Sequence, residues 1–204
     1  MSFIDFSRNI ISCKIVYYGA GRCGKTTNLL HIYANMTEGR KGQLISIDTQ
    51  GDKTLFFDFL PLSLGRIKNF DIKIQLYTVP GQVMYNSSRK LVLKGVDGVV
   101  FVADSQHARR ADNIESFQNL RENLIDEKKD IEQIPLVLQF NKQDLAAQGH
   151  SLLREAVLLQ DLKTQEPVTH FLASAVTGDG VFETLREISK LTVKDVVKRV
   201  VKHL

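Results

Sequence analysis

Apolar runs alternate with amphipathic stretches along most of the chain. The runs ISCKIVYYG, TLFFDFLPL, DIKIQLYTV, GVVFVAD and PLVLQFN predict strands, and THFLASA predicts a weaker one. Helical periodicity follows the first run in KTTNLLHIYANM and recurs over residues 87–93, 112–126 and 151–160. It returns from about residue 181 to the C-terminus. Strands separated by helices are typical of a doubly wound α/β sheet.

This alternation predicts a mostly parallel sheet of six to seven strands with helices on both faces. TLFFDFLPL and DIKIQLYTV are joined by SLGRIKNF, which is short enough for an antiparallel hairpin, so one edge strand is expected to be antiparallel. Residues 37–53 are polar, glycine-bearing and too long for a tight connection, which indicates either a functional or a disordered loop. Residues 1–204 show no repeat or linker, so we expect one domain.

Composition narrows the classes of protein to consider. The chain is 43% hydrophobic and 25% charged, as is common for soluble globular proteins, and no apolar run approaches a membrane span. The N-terminus resembles no signal peptide, so we expect a cytoplasmic protein without an integral membrane segment. Two cysteines without C-x-x-C spacing predict no metal site, and a net charge of +4 is too small to indicate nucleic-acid binding.

The stretch GAGRCGKT fits two phosphate-binding patterns. Gly19, Gly21 and Gly24 match the dinucleotide fingerprint, whereas Gly19, Gly24, Lys25 and Thr26 match the P-loop. The dinucleotide pattern needs an acidic residue about 20 positions on, after a second strand, and no strand is visible there. The P-loop pattern uses Lys25 for phosphate oxygens and the Thr26 hydroxyl for Mg²⁺. We therefore assign the phosphates to Gly19, Ala20, Gly21, Arg22, Cys23, Gly24, Lys25, Thr26 and Thr27, with the Arg22 side chain in solvent.

The motif NKQD, residues 141–144, follows the strand PLVLQFN and predicts the base. A carboxylate at Asp144 can accept two hydrogen bonds from guanine that adenine cannot offer, which favours guanine strongly. Asn141 and Lys142 complete the motif. Ser174 and Ala175 follow the last predicted strand and match the S-A motif of Ras-superfamily GTPases, whose alanine N–H contacts the guanine base. We therefore expect GTP and GDP as ligands.

These motifs, with the stretches LYTVPGQVMYNSSRKLVLKGVDGVVFVADS and GVFETL, resemble the MglA family of bacterial Ras-like small GTPases. The similarity runs from residue 11 to about residue 191 and is weakest between 146 and 167. It implies a P-loop GTPase fold, a cycle between GTP and GDP, and control of cell polarity or motility. It further implies a homodimeric Roadblock-fold activator, polarity effectors and a position at a cell pole in the GTP state.

Ras-like proteins usually carry an aspartate at the end of the third strand, in the pattern D-x-x-G-Q, and this chain does not. The corresponding segment is Thr78, Val79, Pro80, Gly81 and Gln82. Thr78 can accept a hydrogen bond from a magnesium-bound water but adds no charge. We expect the Gly81 N–H to contact the γ-phosphate and Gln82 to orient the attacking water.

The first switch is predicted in the long loop after the P-loop helix. We expect Thr54 to contact Mg²⁺, with Thr49 as the alternative. Family members often have Arg before this threonine, where it acts as a built-in arginine finger, and this chain has Lys53. An ammonium cannot bridge two phosphate oxygens as a guanidinium does, so we expect slower hydrolysis than in relatives with Arg, and a faster activated turnover in a Lys53→Arg variant.

Two functions remain open from the sequence. The first is a switch that hydrolyses GTP, slowly without an activator, for which Gln82 argues. The second is a scaffold that holds nucleotide and barely hydrolyses it, which Lys53 and Thr78 keep open. The basic C-terminal helix is expected to pack its valines on its own sheet, although such a helix can also lie on anionic lipid. The apolar residues 83–85 would suit a protein partner or pack under the sheet.

Overall fold

The structure is a computed structural model that describes residues 3–48, 56–82 and 85–201. Its strands are β1 (Phe3–Asp5), β2 (Ile10–Tyr18), β3 (Ile45–Asp48), β4 (Phe56–Ile67), β5 (Phe70–Thr78), β6 (Gly98–Asp104), β7 (Leu136–Asn141) and β8 (His170–Leu172). Its α-helices are α1 (Lys25–Asn35), α2 (Asn86–Leu93), α3 (Arg110–Asp126), α4 (Glu155–Asp161) and α5 (Val181–Val201). Short 3₁₀ helices cover His107–Arg109 and Gln143–Gln148.

In the described part of the chain the strands form one sheet in the order β3-β4-β5-β2-β6-β7-β8, with β1 paired to β2. The pairs from β5 through β2, β6 and β7 to β8 are parallel, whereas β1, β3 and β4 pair antiparallel. Strands β6 and β7 are buried along their whole length, as expected for parallel strands covered on both faces. The expected α/β fold is confirmed, with more short antiparallel strands than predicted.

Helices cover both faces of the sheet. On one face α1 and α5 bury residues such as Leu29 and Ile188 against β2 and β5. On the other face α2 and α3 bury Val92 and Phe117 against β6 and β7. The carboxyl ends of the parallel strands lie at one edge between these layers, where ligands bind in open α/β sheets.

Three local predictions need correction. Most of the predicted connection SLGRIKNF is strand, because β4 continues to Ile67 and pairs with β5 through a bulge at Ser63 and Gly65. Helix α4 begins at Glu155 and not at residue 151. The segment 37–53 is not wholly a loop, since β3 lies within it and pairs with β4. Strand β3 has only four residues and lies at the edge of the sheet, so its hydrophobic pattern was too weak to predict a strand.

The valines of α5 whose side chains the structure describes pack on its own sheet, as predicted. Val193 and Val196 are buried in the core beneath the sheet, and Val197 packs against the same core. Close packing against β6 is shown at Gly98, where an added Cβ would overlap the Thr192 hydroxyl. No helix among the described residues is long and apolar enough to cross a membrane.

Candidate nucleotide-binding site

The glycine loop joins the buried strand β2 to helix α1 at the carboxyl edge of the sheet. Gly24 has a φ of 104°, and an added Cβ there would overlap the side-chain amide of Asn141, so no other residue fits. Arg22 is also in the left-handed region, with a φ of 62°, and its side chain is exposed, as expected. Among the described residues the backbone N–H groups of Gly21, Arg22 and Gly24 have no hydrogen-bond acceptor. Free N–H groups beside a helix N-terminus form an anion site.

Lys25 lies inside this loop and is almost fully buried. Its ammonium donates to the Gly19 carbonyl at 3.0 Å and to the Ala20 carbonyl at 2.7 Å. Burial lowers the pKa of Lys25, because the charged form is poorly solvated. The ammonium also lies 3.6 Å from the Cys23 sulfur, and a buried ammonium without an ion-pair partner among the described residues is well suited to an anionic ligand.

Asn141 connects the two predicted motifs to each other. Its amide nitrogen donates to the Cys23 carbonyl at 2.7 Å, and its amide oxygen accepts from the Ala175 N–H at 2.8 Å. The buried residue Ser174 accepts from the Thr177 N–H at 3.2 Å, which closes the turn after β8. The P-loop, the NKQD motif and the S-A motif therefore meet around one side chain, as their order predicted.

Asp144 is partly buried, and within the described part of the chain its carboxylate has neither a hydrogen-bond nor an ion-pair partner. Lys142 has a φ of 71°, and its ammonium lies 2.6 Å from the carboxylate of the fully buried Asp104. This ion pair holds Lys142 across the end of β6. The fixed lysine and the free carboxylate fit the recognition of a guanine base.

The second-switch turn lies directly on the glycine loop. An added Cβ at Gly81 would overlap the backbone of Gly21, so the close approach requires glycine. Gln82 is exposed, and its Cγ would be 3.9 Å from a Cβ built on Gly21. The predicted catalytic glutamine therefore faces the phosphate loop.

Asp58 belongs to the candidate site and was missed by the sequence analysis. Asp58 on β4 is 2% exposed, and one of its carboxylate oxygens accepts from the Thr26 hydroxyl at 2.7 Å and from the Thr78 hydroxyl at 2.8 Å. Its other oxygen accepts from Ser46 at 2.8 Å, while its backbone N–H donates to Thr78 at 2.9 Å. The carboxylate missing from position 78 is thus supplied by the neighbouring antiparallel strand.

A signal for Asp58 was present in the sequence. The residue is a single acid within the apolar run TLFFDFLPL, where an unpaired charge is costly. In the β4–β5 register Phe59 pairs with Tyr77, so Asp58 stands next to Thr78. Aligning the two strands of the predicted hairpin would therefore have placed Asp58 beside position 78, where Ras-like proteins have the aspartate.

A cavity of about 640 Å³ adjoins these residues. It is lined by Gly21, Arg22, Gly24, Lys25, Thr26, Thr27, Val79, Pro80, Gly81, Gln82 and Tyr85. The expectations for Lys53, Thr54 and Thr49 fall outside the described residues, as do those for residues 83 and 84. Tyr85, the third member of that apolar group, faces the cavity.

Comparison with known proteins agrees with this geometry. Residues 5–192 match the ADP-ribosylation factor family. The mutual gliding-motility protein MglA of Myxococcus xanthus (strain DK1622) is 51% identical over 201 residues, which cover 97% of this chain and 99% of that protein. Both similarities extend across the P-loop, the second-switch turn and the guanine motifs. The chain therefore belongs to the MglA family of Ras-like small GTPases, within the ADP-ribosylation factor family.

Proposed function

We propose that this chain is a molecular switch that binds GTP, hydrolyses it to GDP, and controls cell polarity or motility through nucleotide-dependent partner binding. The observation that carries the proposal is the convergence at one sheet edge of three groups. They are the buried ammonium of Lys25, the Gly81–Gln82 turn and the free carboxylate of Asp144. An anion site and a guanine-type acceptor at this spacing in the chain suit a guanine nucleotide.

The residues around Asp58 fit a hard cation, because hydroxyl and carboxylate oxygens are the ligands that Mg²⁺ prefers. We assign direct binding to the Thr26 hydroxyl and contact through water to Asp58. The Thr78 hydroxyl, expected to meet a metal-bound water itself, both donates to Asp58 and accepts from its N–H. Thr78 therefore positions the carboxylate. Bound Mg²⁺ would neutralise charge on the phosphate oxygens.

Gln82 is assigned the role of orienting the attacking water, and the Gly81 N–H the role of contacting the terminal phosphate. Lys53 supplies a point charge where relatives often have Arg, so hydrolysis is expected to be slow without an activator. A nucleotide-holding scaffold is the second candidate, and Lys53 is the feature that favours it. The buried carboxylate of Asp58 and the position of Gln82 beside Gly21 favour the hydrolysing switch.

Partners are assigned by family membership. The relative from Myxococcus is named for gliding motility, and we extend a motility or polarity role to this chain. A homodimeric Roadblock-fold protein is the proposed activator, and polarity effectors are the proposed readers of the GTP state. The protein would gather at a cell pole when GTP is bound.

Base exchange at Asp144 tests the nucleotide assignment. An Asp144→Asn variant should lose guanine nucleotides and gain xanthine nucleotides, because the amide N–H can donate to the 2-carbonyl of xanthine but cannot accept from the guanine amine. Affinity for GDP is expected to fall about a hundredfold or more, and affinity for xanthosine diphosphate to rise. Competition against a fluorescent nucleotide measures both.

The matched control for this experiment is Asp179→Asn, which changes an aspartate in the turn after the S-A motif, where it accepts from the Thr177 hydroxyl. Its base preference should stay that of the wild type. Undiminished GDP binding by the Asp144 variant would refute the assignment of the base site, and with it the GTP switch.

A further inference from the structure

Arg89 is a fully buried side chain on α2, the helix that follows the second-switch turn. Its guanidinium donates from Nε to the Pro80 carbonyl at 2.9 Å and from Nη2 to the Gly81 carbonyl at 2.6 Å. These carbonyls belong to the two residues directly before Gln82. One rigid, planar group therefore fixes the turn that carries both the Gly81 N–H and the catalytic glutamine.

A network of neutral side chains also holds Arg89 in place. Its Nη1 donates to the Asn119 side-chain oxygen at 2.8 Å, and the guanidinium carbon lies 5.0 Å from the centre of the Tyr18 ring. Asn119 and Asn123, both on α3, donate to the side-chain oxygen of Asn86 at 3.1 and 2.8 Å. The turn is thus anchored to α3 and not merely to its own helix.

The charge of Arg89 is not balanced within the described part of the chain, where no Asp or Glu forms an ion pair with it. Buried arginines are usually paired with an acid, because an isolated charge is poorly solvated there. Arg109 gives a contrast, since its guanidinium pairs with Asp112 at 2.5 Å and lies 3.9 Å from Asp104. Arg89 meets only carbonyl, amide and phenol oxygens.

A second buried cation lies close to Arg89. Lys25 is likewise held by carbonyl oxygens and by the Cys23 thiol. Burial most strongly, and the positive charge of Arg89 to a smaller extent, lower the pKa of Lys25, whereas Cys23 and Asp58 act in the opposite direction. The two positive charges repel each other, although the carboxylate of Asp58 offsets part of the charge of Lys25. An anion that enters between Lys25 and Gly81 relieves this repulsion, and the γ-phosphate is the group by which GTP differs from GDP.

On the basis of the switch function proposed above, we propose that Arg89 sets the preference for GTP over GDP, as a positioning residue that holds the Pro80–Gly81 turn and leaves a positive charge for the terminal phosphate to balance. We assign Arg89 no contact with the nucleotide, because each of its three guanidinium nitrogens already donates to the turn or to the Asn119 and Tyr18 side chains. It acts by positioning the Gly81 N–H and through the electric field of its own positive charge. GDP lacks the third phosphate, so it gains nothing from the Gly81 N–H and balances less of the positive charge.

The test compares affinities for GDP and for a non-hydrolysable GTP analogue at fixed Mg²⁺, in the full chain. Arg89→Gln should weaken the GTP analogue about tenfold or more and change GDP affinity little, since coupling between sites commonly reaches this size. Lys90→Gln is the matched control. Lys90 is the next residue on the same helix, is partly exposed and pairs with Asp126, so its loss should change neither affinity.

A second variant separates charge from folding. Asn119→Asp keeps the oxygen that Arg89 contacts but adds a negative charge beside the guanidinium, so the protein itself would balance Arg89. It should lower the GTP-to-GDP affinity ratio, and circular dichroism shows whether it folds, because the variant also loses the hydrogen bond from Asn119 to Asn86. Arg89→Gln is also checked for folding by circular dichroism.

The inference is supported only if the ratio of GTP-analogue affinity to GDP affinity falls in both Arg89→Gln and Asn119→Asp and stays unchanged in Lys90→Gln. An equal loss of both nucleotides in Arg89→Gln would give Arg89 a merely structural role and overturn it. So would an unchanged ratio in either variant. Failure of the wild-type chain to bind either nucleotide would instead refute the proposed function.

Discussion

At the scale of single residues, the central feature is the carboxylate of Asp58, which compensates for Thr78. Three hydroxyl groups converge on this buried acid, and one of them belongs to the P-loop threonine. A Ras-like magnesium site requires a hydroxyl and a nearby carboxylate, but it does not require that both come from particular strands. In the site proposed here the acid lies on β4, beside Thr78 of the antiparallel strand β5.

An Asp58→Asn variant should weaken Mg²⁺ binding in the GDP complex about 10- to 100-fold, the usual effect of removing a group that orients metal ligands. GDP would then dissociate faster at low millimolar Mg²⁺, and EDTA would accelerate its release less than in the wild type. The magnesium dependence of fluorescent GDP release measures this change.

Two further variants provide a control and a rescue for the Asp58 experiment. Ser46→Ala removes one hydrogen bond from the opposite carboxylate oxygen and should leave the magnesium dependence nearly unchanged. Adding Thr78→Asp to Asp58→Asn returns a carboxylate to the neighbouring strand and should restore part of the magnesium affinity. A normal magnesium requirement in Asp58→Asn would contradict the role assigned to this acid.

Most residues of the candidate site could be predicted from the sequence, because their signals are local. The glycine loop, NKQD and the S-A turn are short motifs, and the structure brings them together around Asn141. Asp58 and Arg89 could not be found in this way. Their roles depend on contacts between β4 and β5 and between α2 and the preceding turn, which no motif encodes.

At the scale of elements, the ends of helices and strands were predicted best where the hydrophobic periodicity alone determines them. Helix α4 illustrates the opposite case. The residues before it turn back to the end of β6, where the Leu153 N–H donates to the Ser105 carbonyl at 2.7 Å and Leu152 forms a bridge with Gln106. Arg154 is extended, so the helix begins at Glu155. Tertiary contacts, which a sequence pattern does not reveal, removed the first turn.

The contact between β6 and α5 gives a prediction on stability. A Gly98→Ala variant should lower the free energy of unfolding by about 1 to 3 kcal/mol, the usual cost of overpacking, because the new methyl group would overlap the Thr192 hydroxyl. Denaturant titration of the nucleotide-free chain measures the loss.

Thr192→Ala provides the control for Gly98→Ala. The Thr192 hydroxyl is buried without a hydrogen-bond partner among the described residues, so its loss should cost little, and the variant should lose only the packing of one buried methyl group, about 1 kcal/mol. Combined with Gly98→Ala it should recover part of the lost stability. If the double variant were as unstable as the sum of the two single variants, the assigned contact would be wrong.

At the scale of the whole molecule, the sheet order determines where chemistry is possible. The glycine loop leaves the carboxyl end of β2, and the NKQD motif leaves the end of β7, two strands away across β6. Because these strands are parallel, their carboxyl ends lie at one edge of the sheet. Asp58 reaches the same site from β4, which pairs antiparallel with β5 on the side away from β2. The fold class followed from alternating strands and helices, whereas the short strands β1 and β3 depend on pairing partners and were not predicted.

The most direct test of the switch is single-turnover hydrolysis of GTP by the purified chain, with and without its Roadblock-fold partner. Unstimulated turnover is expected near the Ras-type rate of about 10⁻⁴ per second, and the partner should accelerate it strongly. A Gln82→Leu variant should bind GTP and lose the acceleration. Tight GTP binding with no acceleration of the wild-type protein would contradict the switch and favour the nucleotide-holding scaffold.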